Sequence, residues 1–93
     1  MNGSNNVVIA HEFLHTLGAT DKYGPDNRPI FPIGYADPQQ HPRYPQARTE
    51  IMAGRRMLSE TELEMPDSLA GVVVGPQTAR EILNRVNEIT FNA

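Results

Sequence analysis

The chain has 93 residues, a net charge of −3, 39% hydrophobic residues and no cysteine. This is the composition of an ordinary globular chain, and its few scattered Lys and Arg residues exclude an electrostatic surface for nucleic acid or an anionic membrane. No apolar run approaches the roughly 18 residues of a membrane span, so we expect neither a nucleic-acid nor a membrane partner. Without thiolates, any metal must be bound by His, Asp or Glu.

Residues 6–17 are predicted to form a helix, because side chains placed about 100° apart divide into two sides. The apolar side holds Val7, Ile9, Ala10, Phe13, Leu14 and Leu17. The opposite side holds His11, Glu12, His15 and Thr16. Asn5 or Asn6 is expected to cap the start, and Gly18 to end the helix in a left-handed conformation. Without an upstream subdomain, this apolar side would be buried by the C-terminal helix, by a second copy of the chain, or by nothing.

Residues 18–50 are predicted to be a loop, because six of the eight prolines lie between Gly24 and Pro45 and interrupt regular structure. Loops of this length are uncommon in compact domains and are usually functional or disordered. A turn at residues 51–54 follows the loop. The strongest strand signal in the chain is the run Val72–Val74.

Two further helices are predicted in the C-terminal half. Ser59 and Glu62 have the spacing of a capping box, which favours a short helix over residues 59–65. Pro76 suits a first helical turn, and a longer helix is predicted over residues 76–88. Its apolar stripe is interpreted as core and consists of Ala79, Ile82, Leu83 and Val86. Together these elements predict a fold that is mainly α with long irregular loops.

The residues with the clearest chemistry lie on the first helix. His11 and His15 project from one helical face a single turn apart, so both imidazoles can bind one ion. Zinc in catalytic sites commonly has three protein ligands and leaves the fourth position to water, and Glu12 is placed to act on that water as a base. The run HEFLHTLGATD fits HEXXHXXGXXD, in which Gly18 turns the chain back and Asp21 becomes the third ligand. The alternative is a surface helix with solvated histidines.

This extended motif resembles that of the metzincin clan of zinc metallopeptidases, which ends in aspartate in some bacterial members such as snapalysin. The sequence Ile51-Met52-Ala53-Gly54 is similar to the clan's Met-turn, and the helix over residues 76–88 to its C-terminal helix. The resemblance implies the active-site helix and C-terminal subdomain of a zincin-like α+β fold. It also implies that Met52 is a hydrophobic floor beneath the imidazoles and not a ligand.

The resemblance implies a Zn²⁺-dependent endopeptidase that hydrolyses a peptide or protein substrate, with Glu12 as general base. The alternative is a non-catalytic zinc-binding or protein-binding module, which would be a truncated or degenerate relative. Only ten residues precede His11, where the clan has its upper subdomain. We therefore expect residues 1–93 to be a single small domain and a fragment, weakly active or inactive alone, with a missing upstream subdomain or a homodimer. The compartment is not assigned, although the resemblance implies secretion if an upstream signal segment is missing.

Other potential donors lie downstream of the motif. The rival third ligands are His41 and Glu50, but Glu50 lies beside a turn and lacks the helical setting of a downstream glutamate ligand. The loop tyrosines that can approach the site are Tyr23, Tyr35 and Tyr44. Arg55 and Arg56 are interpreted as a solvated face, so the sequence assigns no oxyanion-stabilising residue besides the metal.

Overall fold

The computed structural model describes residues 3–92, with side chains for residues 3–90. Its elements in chain order are α1 (Gly3–Thr16), β1 (Thr49–Glu50), β2 (Arg56–Met57), β3 (Leu63–Glu64), β4 (Val72–Val73) and α2 (Pro76–Asn92). β1 pairs in parallel with β4, and β2 pairs antiparallel with β3. Within the described residues, neither helix is long and apolar enough to span a bilayer.

The predicted fold class, mainly α with long irregular loops, is wrong. Helices make up 33% of the chain, and short paired strands join the segments between them. Within residues 18–50, bridges also join Tyr23 to Pro29, and Tyr35 to Thr49. Strands of two residues are too short to produce the alternation that reveals a strand in a sequence. Only the strand at Val72–Val73 coincides with a strand signal that the sequence offers.

Helix α1 begins at Gly3, earlier than predicted, and ends where the sequence indicates. The N–H of Ala19 donates to the carbonyl of Leu14 at 3.1 Å, and the N–H of Gly18 to that of His15 at 3.1 Å. Gly18 has a φ of 98°, so this is a Schellman end, in which the last carbonyls are satisfied as the chain reverses. The reversal directs the following residues back along the histidine side of the helix.

Only part of the apolar side of α1 is covered. Val7 is buried, while Ala10 and Leu14 pack against the core. Ile9 and Phe13 are 57% and 58% exposed. The covered side chains and the histidines lie on adjacent parts of the helix surface, so α1 presents its histidines towards the rest of the chain.

The prediction of a helix over residues 59–65 is wrong, because this segment contains the turn that follows β2 and the strand β3 that pairs with it. The hydroxyl of Ser59 does accept hydrogen bonds from the N–H groups of Thr61 and Glu62, at 3.2 and 3.1 Å. The N–H of Leu58, however, donates to the carbonyl of Glu62 at 2.8 Å and closes a turn. A side-chain oxygen that caps a helix can equally stabilise a turn, so the capping-box spacing alone did not distinguish the two.

Helix α2 begins at Pro76 as predicted and extends beyond residue 88. Its Ile82 packs against the core cluster, which consists of Ala19, Ile51 and Met52. The rest of the predicted core stripe is wrong, because Ala79, Leu83 and Val86 are exposed. The first two turns of α2 are therefore anchored in the fold, while residues 83–90 of its later turns are all exposed.

A buried carboxylate joins the core turn to the start of α2. Glu50 is fully buried, and its Oε1 accepts hydrogen bonds from the N–H groups of Met52 and Ala53 at 2.6 and 3.1 Å. Its Oε2 accepts hydrogen bonds from the N–H of Gly75 and the hydroxyl of Thr78 at 2.9 and 2.8 Å. Burying a charge is favourable only when its hydrogen bonds are made, and Glu50 makes four.

Candidate metal centre

The histidines of α1 and the aspartate after the helix lie together. His11 Nε2 and His15 Nε2 are 3.1 Å apart. Asp21 Oδ1 lies 3.1 Å from the first and 2.9 Å from the second. The rings meet edge to face, with centroids 4.7 Å apart. The structure thus places the three predicted metal ligands around one point.

The other nitrogen of each imidazole is held by a backbone carbonyl. His11 Nδ1 lies 2.9 Å from the carbonyl oxygen of Ile51, and His15 Nδ1 lies 2.8 Å from that of Ala19. A carbonyl oxygen can only accept, so each Nδ1 carries a hydrogen, and a neutral ring in this orientation would have its lone pair on Nε2. Such partners fix the tautomer and orientation of metal-binding histidines.

With both rings neutral, two Nε2 lone pairs and a carboxylate oxygen face one another. A cation bound between the three atoms would compensate these facing lone pairs. Tetrahedral Zn²⁺ with bonds of about 2.0–2.2 Å holds its ligand atoms about 3.3–3.6 Å apart, somewhat more than the 2.9–3.1 Å separations here. The residues fit zinc with shifts of a few tenths of an ångström.

A second donor set overlaps the first. His11, Glu12 and His15 each offer a ligand atom, and these atoms lie within 4.8 Å of one another. We favour Asp21 over Glu12 as the third ligand, because one Asp21 oxygen is within 3.1 Å of both imidazole nitrogens.

Glu12 is exposed, and its carboxylate makes no hydrogen bond or ion pair with another described residue. It borders a cavity of about 160 Å³ together with His11 and Tyr23. The apolar part of the lining includes Val7, Val8, Ile51 and Met65. A carboxylate at the edge of such a cavity is free to exchange a proton with a molecule bound there.

The turn predicted at residues 51–54 is present and supports two ligand segments. Met52 is fully buried within it, and Gly54 has a φ of 74°. The preceding carbonyl, that of Ile51, is the acceptor for His11. The carbonyl of Met52 accepts a hydrogen bond from the N–H of Lys22 at 2.9 Å, next to Asp21.

Sequence reasoning missed a buried ion pair beside Asp21. Lys22 is only 1% exposed, and its Nζ lies 2.7 Å from Glu81 Oε1 on α2. Burial raises the pKa of the Glu81 carboxyl, but hydrogen bonds from Lys22 and Thr20 outweigh this and hold the pKa below 4.5. A lysine next to the motif reads as an ordinary surface residue, so no signal in the sequence pointed to the pair.

The rival ligands lie elsewhere. His41 is exposed and outside the histidine cluster, while the carboxylate of Glu50 is occupied by its four donors. The hydroxyls of Tyr35 and Tyr44 are 3.3 Å apart. Burial and the hydrogen bond with Tyr44 raise the pKa of Tyr35 to about 12, which disfavours the phenolate that would bind a metal. Tyr23 is the tyrosine that borders the cavity.

The two arginines after the turn also differ. Arg56 pairs with Glu64 at 2.9 Å, while Arg55 lines the cavity beside Glu12.

Comparison with protein-family models, with curated proteins and with solved structures gave no match. The likeness to metzincins therefore rests on the sequence motif and the turn alone.

Proposed function

We propose that the chain is a zinc-dependent endopeptidase in which His11, His15 and Asp21 bind one Zn²⁺ and Glu12 is the general base. The observation that carries this proposal is the convergence of two Nε2 atoms and one carboxylate oxygen within 3.1 Å. Both imidazoles are oriented for metal binding by the carbonyls that accept their Nδ1 hydrogens. A solvated pair of surface histidines would have no need of those two carbonyl partners.

Bound zinc would act as a Lewis acid. It would polarise a carbonyl group and lower the pKa of a water molecule towards neutral pH. Glu12 lies next to His11 in sequence, and its carboxylate, at the cavity edge, has no hydrogen-bond or ion-pair partner among the described residues. It would take a proton from the attacking water and deliver it to the leaving amine nitrogen. His11 and His15 would hold the ion, while the cavity would receive part of the peptide.

A non-catalytic zinc-binding module that contacts another protein is the second candidate. The observation in its favour is the exposure of apolar side chains on the outer side of α1, at Ile9 and Phe13. This candidate uses the same metal ligands but gives Glu12 no role. It therefore differs from the peptidase in what Glu12 substitution does.

The first test is metal content after dialysis of the full chain. We expect one zinc per chain, a large loss of affinity in Asp21→Ala, and little change in the control His41→Ala. The opposite pattern would reassign the third ligand to His41.

The second test is chelator-sensitive hydrolysis of quenched peptides by the parent chain and by Glu12→Gln. We expect Glu12→Gln to retain zinc and to lose about 10²–10⁴ in rate, the usual contribution of a general base. A zinc-loaded parent that hydrolyses none of the peptides would favour the binding module. Hydrolysis by Glu12→Gln within a few-fold of the parent would remove Glu12 as the base.

A further inference from the structure

Asp21 has few contacts of its own. Its side chain is 41% exposed, and among the described residues its carboxylate contacts only the two histidines. An exposed carboxylate on a flexible turn would lose conformational entropy on binding an ion. Something must therefore hold the backbone of this turn if Asp21 is to be preorganised.

Both neighbours of Asp21 are held by one carboxylate on α2. Glu81 Oε1 accepts hydrogen bonds from the N–H of Thr20 at 3.0 Å and from Nζ of Lys22 at 2.7 Å. Glu81 Oε2 accepts a hydrogen bond from the Thr20 hydroxyl at 2.9 Å. Lys22 Nζ also donates to the carbonyl of Thr20 at 2.6 Å, so the residues before and after Asp21 are tied together and to α2.

Glu81 is itself on a fixed part of the fold. Thr78 lies three residues earlier, on the same side of α2, and its buried hydroxyl donates to Glu50. Glu50 in turn binds the N–H groups of the turn whose Ile51 carbonyl orients His11. The first two turns of α2 thus connect the segment of Asp21 to the segment that orients His11.

We infer that Glu81 is a positioning residue for the metal site, acting through Asp21. This inference rests on the proposed zinc site and adds a residue that the motif does not contain. Glu81 holds the turn from Thr20 to Lys22 so that Asp21 Oδ1 faces both Nε2 atoms. Groups that hydrogen-bond a metal ligand directly typically contribute 10- to 100-fold to metal affinity, and we expect an effect of this order for Glu81, which holds both neighbours of the ligand.

The test is a double-mutant cycle on zinc affinity of the full chain, with Glu81→Ala and Asp21→Asn. We expect Glu81→Ala alone to weaken zinc binding by about 10- to 100-fold. In the Asp21→Asn background it should weaken binding by less than about twofold, because groups that act through one another are not additive. Glu81→Gln should restore part of the affinity, since an amide oxygen can still accept from Thr20. Cobalt(II) in place of zinc should give an altered visible spectrum in Glu81→Ala and an unaltered spectrum in the control Asp37→Asn.

The outcomes separate the two proposals. An equal loss of affinity from Glu81→Ala in both backgrounds would mean that Glu81 supports only the fold, and would overturn the positioning role. Unchanged affinity in Asp21→Asn itself would instead overturn the ligand assignment. If Glu81→Ala does not fold, Thr20→Val removes one hydroxyl donor at nearly constant shape, and the same non-additivity with Asp21→Asn is required.

Discussion

The buried junction around the candidate site and the outer surface of the two helices follow opposite rules. The junction contains four buried or half-buried polar residues, Lys22, Glu50, Thr78 and Glu81, and every buried side-chain N or O atom of the described residues has a partner. The outer surface contains exposed apolar residues, which are Ile9, Phe13, Leu83, Val86 and Ile89. The junction thus buries charged groups beside the apolar core cluster, which is uncommon, while apolar side chains of both helices remain exposed.

This difference indicates which part of the small fold contributes most to its stability. A domain of this size buries little more than about 60% of its unfolded surface, so it has few apolar contacts to lose. The junction connects the segment from Thr20 to Lys22 and the turn at residues 51–54 to the start of α2 through hydrogen bonds to charged groups. We therefore expect substitutions there to be far more damaging than substitutions on the outer helix surfaces.

The largest effect is expected for Glu50→Gln. Whichever way the amide is oriented, its NH₂ group faces one pair of the donors that now bind Glu50. Leaving buried donors unsatisfied costs about 1–3 kcal/mol each, so we expect a loss of about 3–5 kcal/mol in the free energy of unfolding. Urea denaturation measures it. Exposed Glu62→Gln is the control, and equal small losses in both variants would contradict the central place of Glu50.

The next effect is expected for Met52→Ala, which tests the apolar part of the same junction. Met52 is completely buried in the core cluster, and truncating a buried methionine typically costs about 2–5 kcal/mol. Met52→Leu conserves volume and should cost less than about 1.5 kcal/mol. Thermal unfolding of both variants separates packing from any special role of the sulfur, because a role for sulfur would make the two substitutions equally harmful.

Local patterns in the sequence predicted the convergence of His11, His15 and Asp21 better than they predicted the fold. The spacing of His11 and His15 fixes their common face in any helix, and Gly18 signals the reversal that brings Asp21 back. These features depend on neighbours within about ten residues. The parallel pairing of Thr49 with Val72 joins distant residues over two positions, too short a run to leave a pattern.

Local sequence patterns also did not predict how much of each helix face is buried. Periodicity grouped Ile82, Leu83 and Val86 on one side of α2. It did not indicate how far along this side the rest of the protein packs against the helix. Burial depends on that extent, so Ile82 is packed while the other two are exposed. Likewise, no pattern distinguishes Lys22 buried against Glu81 from an ordinary surface lysine.

Gly18→Ala should have an intermediate effect, because it strains the chain reversal after α1, where this segment contacts α2. A side chain at φ 98° is strained, and its Cβ would lie 3.0 Å from Cβ of Arg85 on α2. We expect a loss of about 1–3 kcal/mol, accompanied by weaker zinc binding as the turn to Asp21 shifts. Gly24→Ala is the matched control, since its Cβ would meet only Asp26 Oδ1 at 3.4 Å. Similar losses at both glycines would contradict a special role for the helix end.

Acidification should weaken the junction before it affects the outer surface. The pKa of Glu81 is held below its ordinary 4.5 in the folded chain, with burial opposing the shift and hydrogen bonds from Lys22 and Thr20 producing it. A depressed pKa stabilises the folded state above the unfolded value, and that stabilisation is lost as the pH falls through the folded value. Urea unfolding between about pH 5 and 3 should therefore be less pH-dependent in Glu81→Gln than in the parent. Equal slopes would show that Glu81 does not contribute to acid sensitivity.

The smallest effect is expected for Val86→Gln, on the exposed part of α2. Val86 lies one turn after Ile82 on the same side of the helix but is 45% exposed, whereas Ile82 packs on the core cluster. Exposed substitutions usually change stability by less than about 0.5 kcal/mol, while Ile82→Ala should cost about 2 kcal/mol or more. Both variants are measured by urea denaturation at two protein concentrations, because association would make the midpoint depend on concentration. A large, concentration-dependent loss in Val86→Gln would show that this surface is covered by a second copy of the chain, and the contrast between the two regions would then hold only for the monomer.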